Sequence, residues 1–327
     1  MQVGVIGPVS PDYFADNVGD ALTRIGHSVT YLGPARARLG SGRLNQVAGL
    51  ARQVAPGIDE RFQRAAVRRA QSADCEVVIN LDASLMPDAV LRLRRQGMKV
   101  AFWFPDAVCN LGRQLMLLSC YDALFFKDPL LVDRLRDMLD LPVHYLPQGC
   151  NPRWHRPAAQ AGTDPHLVIA GNMYPSRVRL LDRLIEKGIP LRIYGAGFPR
   201  WLGETRAREA HAGCCIFRAE KARVFRSAAG VLNNLHPAEM NSMNARLFEA
   251  AGSGAAVLTE FRPALPELFD VGREVLAFSD FEELLDQATR LLNDPGLTAR
   301  IGNAAAERAL REHTYDLRVA ALLTTLS

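Results

Sequence analysis

The chain has 327 residues, more than one ordinary domain holds, and the length favours about two domains. Apolar residues make up 48% and charged residues 23%, which excludes a disordered chain and allows a sizeable core. The net charge of +4 is too mild to imply nucleic-acid binding, and none is expected.

Met1-Gln2-Val3-Gly4-Val5-Ile6-Gly7 starts at once on a strand-like run, with no basic segment followed by a long apolar one, so no signal peptide is expected. No stretch approaches about 18 uncharged apolar residues, so no membrane span is expected, and the expected location is the cytoplasm. Cys75, Cys109, Cys120, Cys150, Cys214 and Cys215 form no C-x-x-C pair and read as free thiols of a reducing compartment.

Gln2–Ile6 reads as a strand, Asp16–Ile25 as a helix with Val18, Ala21, Leu22 and Ile25 on one side, and Ser28–Leu32 as a second strand. Between Arg36 and Ser72 stand eight arginines (36, 38, 43, 52, 61, 64, 68, 69) against Asp59 and Glu60, a local excess of six positive charges. Arg61, Arg64 and Arg68 fall on one helical stripe. The stretch reads either as a solvated helix face or as a surface for anionic membrane or an anionic acceptor. Strands are expected at Glu76–Leu81, Lys99–Phe104 and Ala123–Phe126, a helix at Pro129–Met138 and a strand at Val143–Leu146. Gln148–Asp164, rich in proline and glycine with no apolar period, reads as an interdomain linker.

The alternation then restarts. Leu167–Ala170 and Leu191–Tyr194 read as strands around a helix at Ser176–Lys187. Gly230–Asn233 reads as a strand, Ala245–Ala251 as a helix and Ala255–Thr259 as a strand. Helices at Phe281–Leu292, Leu297–Glu312 and Leu317–Leu326 finish the chain. Apolar runs with little alternation, separated by helices, indicate parallel sheets covered on both faces. Two such β/α units imply two Rossmann-like domains facing a cleft, with ligands beyond the C-terminal ends of the strands.

A dinucleotide oxidoreductase is excluded at both halves of its fingerprint. Gly4-x-x-Gly7 lacks the G-x-G-x-x-G spacing, and Tyr31-Leu32-Gly33-Pro34 offers no acid for a ribose hydroxyl. No phosphate-loop or nucleophile-elbow motif appears, and no D-x-D or H-x-x-x-H offers metal ligands. No metal and no cofactor is therefore expected.

The informative stretch runs from Gly230 to Glu267. Asn244 opens a helix with Ala245 and Arg246 in its first turn and Glu249 one turn further. A helix N-terminus with an arginine beside it suits a diphosphate, and a carboxylate suits ribose hydroxyls. The same spacing also fits an ordinary cap and a surface ion pair.

Taken together, Leu232-Asn233-Asn234-Leu235-His236, Asn244-Ala245-Arg246-Leu247-Phe248-Glu249-Ala250, Leu258-Thr259-Glu260, Leu265-Pro266-Glu267-Leu268-Phe269 and the closing His313-Thr314-Tyr315 resemble the signature region of group 1 glycosyltransferases, nearest their CgeB-like branch. The N-terminal half agrees more loosely, through Phe14-Ala15-Asp16-Asn17, Trp103-Phe104-Pro105-Asp106 and Leu146-Pro147-Gln148-Gly149.

The resemblance implies an α/β chain with the GT-B fold: an acceptor-binding domain over 1–158 and a domain for a nucleoside-diphosphate sugar, UDP-, GDP- or dTDP-linked, over 163–313. The last helix, about 314–327, is expected to pack back onto the first domain. In that family an E-x7-E pair brackets the donor. Glu249 stands at its second position, which meets the ribose, while Asn241 replaces the first glutamate. The resemblance further assigns Gly171, Asn172 and Arg177 to the diphosphate, and Met243, Asn244, Ala245 and Arg246 to the donor site; Tyr194 and Gly195, where glycine lets a base approach the backbone closely, read as the nucleobase wall or as a simple tight turn. His236 and Asp106 are candidates for the chemistry itself, Asp106 toward an acceptor hydroxyl. A sugar-nucleotide 2-epimerase and a non-catalytic nucleotide-binding protein are the competing readings.

Overall fold

The computed structural model describes residues 1–36, 57–112, 114–159 and 162–327. The chain divides into two units, Met1–Pro147 with Asp316–Ser327, and Gln148–Tyr315.

The first unit holds the strands β1 (Gln2–Ile6), β2 (Ser28–Gly33), β3 (Val77–Asn80), β4 (Lys99–Phe104), β5 (Ala123–Phe126) and β6 (Val143–Tyr145) in one parallel sheet of order β2-β1-β3-β4-β5-β6. Helices α1 (Phe14–Arg24), α2 (Gly57–Ser72), α3 (Pro87–Arg95) and α4 (Pro129–Leu139) connect the strands. Strands β3 and β5 are buried at every position, which is why their sequences show no polar alternation. Phe102, Phe104 and Phe126 pack with Ala66, Val90, Leu93 and Val132 in one core layer. Trp103, the alternate residue of β4, meets the ring of Phe14 on α1 edge-on at 4.7 Å and donates from Nε1 to the carbonyl of Leu146.

Of the basic stretch, Arg38, Arg43 and Arg52 lie outside the described residues. Arg61, Arg64 and Arg68 stand exposed on α2, where Arg64 pairs with Glu60 one turn back. The last helix, α11 (Tyr315–Leu326), returns to this unit: its Asp316 accepts from Arg24 of α1, and its Val319 and Leu322 are fully buried.

The second unit holds β7 (Asp164–Ala170), β8 (Leu191–Tyr194), β9 (Ala228–Asn233), β10 (Val257–Glu260) and β11 (Leu276–Phe278), all parallel, in the order β11-β10-β9-β7-β8. Its helices are α5 (Pro175–Glu186), α6 (Arg218–Ser227), α7 (Ala245–Gly252), α8 (Leu265–Leu268), α9 (Phe281–Asn293) and α10 (Pro295–Glu312). Among the described residues no helix is long and apolar enough to cross a membrane.

The stretch read as a linker is largely packed structure. Cys150, Asn151 and His155 are fully buried, and Gln148 and Trp154 nearly so. Cys150 accepts from Tyr315 N–H (2.9 Å) and donates to the carbonyl of His313 (2.8 Å), forming a parallel bridge beside Thr314. Proline and glycine mark irregular backbone, but here the backbone of Cys150 is satisfied by a segment distant in sequence.

Helix α7 is short and is held by α10 lying across it, with Leu247, Ala250 and Ala251 against Ala305 and Ala309. The approach is tight at Gly302, where an added Cβ would collide with the carbonyl oxygen of Gly254 in the turn after α7. Alanine usually stabilises a helix over glycine by roughly 1 kcal/mol. Gly302→Ala should do the opposite and cost about 1–3 kcal/mol through overpacking. Denaturant unfolding measures it, and an increase in stability would show that this contact yields freely.

Candidate functional site

The order of the second sheet reverses between β7 and β9, so the loops leaving the C-terminal ends of these two strands stand at the switch point, the usual ligand position in such sheets. The β7 loop, Gly171 to Tyr174, leads into α5, and the loop after β9 ends at Asn244, where α7 begins. The turn after β8 packs against the first of these. Gly171 donates its N–H to the carbonyl of Tyr194 at 2.9 Å, and a Cβ on Gly195 would collide with the carbonyl oxygen of Gly171. Gly171 and Gly195 have φ of +139° and +150°, values that glycine adopts without strain.

Arg177, in the first turn of α5, is 3% exposed. Its Nε donates to Asn234 Oδ1 (2.8 Å), one Nη to the carbonyl of Asn172 (2.7 Å), and the other to the carbonyl of Asn234 (2.9 Å) and the hydroxyl of Tyr174 (2.7 Å). The guanidinium also lies over the Tyr174 ring, 4.3 Å from its centre. It is therefore fixed by neutral acceptors.

Arg246, from α7, reaches the same place. A Cβ on Gly171 would run into its guanidinium and would lie 3.2 Å from that of Arg177. Its hydrogen bond to Asn233 Oδ1 is long, at 3.4 Å. Neither arginine makes an ion pair among the described residues. The electrostatic consequence is plain: burial, and next the Arg246 charge, push Arg177 down to about 9, and burial lowers Arg246 against the opposing pull of Glu249 and Tyr174. Burial likewise raises the Tyr174 hydroxyl, although both arginines oppose it.

Asn244 caps α7, its Oδ1 accepting from Leu247 N–H at 3.3 Å. The first N–H groups of any helix, here those of Ala245 and Arg246, have no intrahelical acceptor and present the positive end of the dipole. Glu249, one turn on, is buried, and its Oε2 accepts from Lys221 Nζ of α6 at 2.8 Å. Met243 is buried in the core beneath, and Asn241 is half-buried, its carbonyl accepting from Ala264 N–H.

His236 is exposed at the rim, edge-on to Tyr174 with ring centres 5.0 Å apart. Its Nδ1 accepts from Ala238 N–H, which leaves Nε2 as the proton-bearing nitrogen of the neutral ring. The second unit thus gathers Gly171, Asn172, Arg177, Tyr194, Gly195, Arg246 and His236 around two adjacent loops. Asp106 belongs to the first unit. It is exposed, and both its oxygens serve its own turn, accepting from Ala107 N–H and the Asn110 amide at 2.8 Å each.

Sequence reasoning passed over Tyr174, Asn234 and Lys221. Lys221 had a usable signal. It falls one turn before Phe225 and beside Ala222, on the buried stripe of α6, where a lysine needs a partner. Among the described residues no three His, Cys, Asp or Glu gather as a metal site.

Residues 177–324, a little under half of the chain, match the family model described as glycosyl transferase-like. No curated protein matches the sequence. Similar solved structures include sucrose-phosphate synthase from Thermosynechococcus elongatus (TM-score 0.73, 15% identity, covering 99% of this chain and 98% of that one). A glycosyltransferase from Rickettsia africae follows at 0.67 and 12%, covering 99% and 97%. Anabaena HepE in complex with UDP-glucose follows at 0.66 and 12%, covering 99% and 100%. The chain therefore has the two-domain, Rossmann-like GT-B fold, with a glycosyl transferase-like domain over residues 177–324.

Proposed function

We propose that the protein is a group 1 glycosyltransferase of the CgeB-like branch, moving a sugar from a nucleoside-diphosphate donor to an acceptor hydroxyl. The observation that carries this is the pair of guanidiniums at Gly171, two cations side by side with no carboxylate paired to either. Such a pair calls for a polyanion, and a diphosphate supplies two or three charges with acceptor oxygens for both arginines and for the α7 N–H groups. Glycosyl transferase-like residues 177–324 and a similar fold holding UDP-glucose support the same ligand.

In this reading Arg177, Arg246 and the start of α7 hold the diphosphate, Glu249 holds the ribose, and Tyr194 and Gly195 line the base. Asn241 meets the sugar. As the glycosidic bond breaks, charge develops on the leaving diphosphate, where these fixed cations and dipoles stabilise it. His236 offers an exposed Nε2–H to sugar or phosphate. Asp106 orients the acceptor hydroxyl on the first unit through the lone pairs its turn leaves over.

Calorimetry with UDP, GDP and their nucleosides tests the site. Arg246→Met should weaken the diphosphate by roughly 1.5–3 kcal/mol, about tenfold to a hundredfold, and leave the nucleoside unchanged. Glu249→Ala should weaken both ligands, because it reads the sugar. If both variants fold and bind nucleoside diphosphates like the parent, the pocket lies elsewhere.

The paired arginines also take the part a divalent cation plays in other transferases, so turnover should survive EDTA. Loss on chelation, restored by magnesium or manganese, would refute that part of the reading. We further read the Arg36–Arg69 region as a peripheral contact with anionic membrane for a cytoplasmic protein. Reversing the charges of Arg61, Arg64 and Arg68 should then lower co-sedimentation with acidic vesicles at low salt, and unchanged sedimentation would leave only a solvated face.

A further inference from the structure

Arg246 and Glu249 stand three residues apart on α7, the spacing at which opposite charges on a helix commonly pair. They do not pair. The carboxylate of Glu249 is turned instead to Lys221, at 2.8 Å, with both side chains about nine-tenths buried. Arg246 is left with its long bond to Asn233 and its place beside Arg177.

Lys221 is firmly placed. Helix α6 starts at Arg218, whose φ of +51° is unusual for a side chain with a Cβ and whose guanidinium lies 4.7 Å from the centre of the Trp154 ring. Near its other end Arg226 donates to the carbonyl of Gly254 and to Asn303 Oδ1 (2.9 Å), tying α6 to the turn after α7 and to α10. The lysine therefore approaches Glu249 from an element anchored at both ends.

We propose that Lys221 is a positioning residue that holds Glu249 away from Arg246, so that one ligand finds the second oxygen of the carboxylate for its ribose and, for its diphosphate, a guanidinium that no carboxylate neutralises. Without the lysine, a buried carboxylate beside a half-buried arginine has that cation within reach, and turning toward it cancels both binding groups at once. This rests on the proposed donor site.

The test uses UDP or GDP, whichever the parent binds, its 2′,3′-dideoxy counterpart and the nucleoside. Two ratios are read by calorimetry: ribose discrimination (nucleotide over dideoxynucleotide) and diphosphate gain (nucleotide over nucleoside). Lys221→Met should lower both, each by about tenfold, and Lys221→Arg should keep both. The decisive variant is Lys221→Met combined with Glu249→Gln. With no carboxylate to pair with Arg246, the diphosphate gain should return while ribose discrimination stays low. A lysine that merely supports the fold would show no such split recovery. The double variant also removes the unpaired buried charge, so it stays informative if Lys221→Met alone fails to fold. Retention of both ratios in Lys221→Met, or no recovery in the double variant, overturns the proposal. If Glu249→Ala itself leaves ribose discrimination intact in the parent, the donor-site reading fails instead.

Discussion

Two guanidiniums brought together at Gly171 set the terms for the rest of the second unit. Like charges brought this close repel, and the more so the further water is excluded from between them. The fold tolerates this because Arg177 is held on every side by neutral acceptors, Asn172, Asn234 and Tyr174, rather than by an acid. A carboxylate in their place would relieve the strain and occupy the cations. Glycine at 171 follows from the same constraint, because a side chain there would fill the space the arginines use.

The supporting shell is built of close backbone approaches. Gly195 lies against Gly171, and Gly302 of α10 against Gly254 in the turn after α7. Each brings a loop or helix nearer than a Cβ permits, and each bears on an element that carries a charged group. Helix α7 is only two turns long and would not persist alone. Its position comes from α10 across it and from the cap at Asn244.

Both sheets were legible because buried parallel strands announce themselves as unbroken apolar runs, as in Lys99–Phe104. The cluster on α7 was legible because its residues are neighbours in sequence, so helical spacing alone brings Asn244, Arg246 and Glu249 together. What stayed hidden depends on distant partners. Lys221 meets Glu249 from another helix: its place on the apolar stripe with Ala222 and Phe225 signals a buried lysine, but not which carboxylate pairs with it. Cys150 gains its hydrogen bonds from His313 and Tyr315, so Gln148–Asp164 read as an interdomain linker although Gln148, Cys150, Asn151, Trp154 and His155 are buried. Asp106 shows the opposite limit. A carboxylate at the end of a strand reads equally as a turn cap or a reactive group, and its bonds to Ala107 and Asn110 are those of a cap.

The division of the chain also orders its assembly in time. Asp316–Ser327 belong to the unit begun by Met1, and Gln148–Tyr315 form the whole of the other. On the ribosome the first 147 residues emerge well before the helix that completes them. The second unit, contiguous in sequence, can close as soon as Tyr315 is free. The first must wait until Val319 and Leu322 leave the exit tunnel and cover the apolar surface they bury. The unit made first is thus finished last, and in the interval its incomplete face is the one open to chaperones and to misassociation.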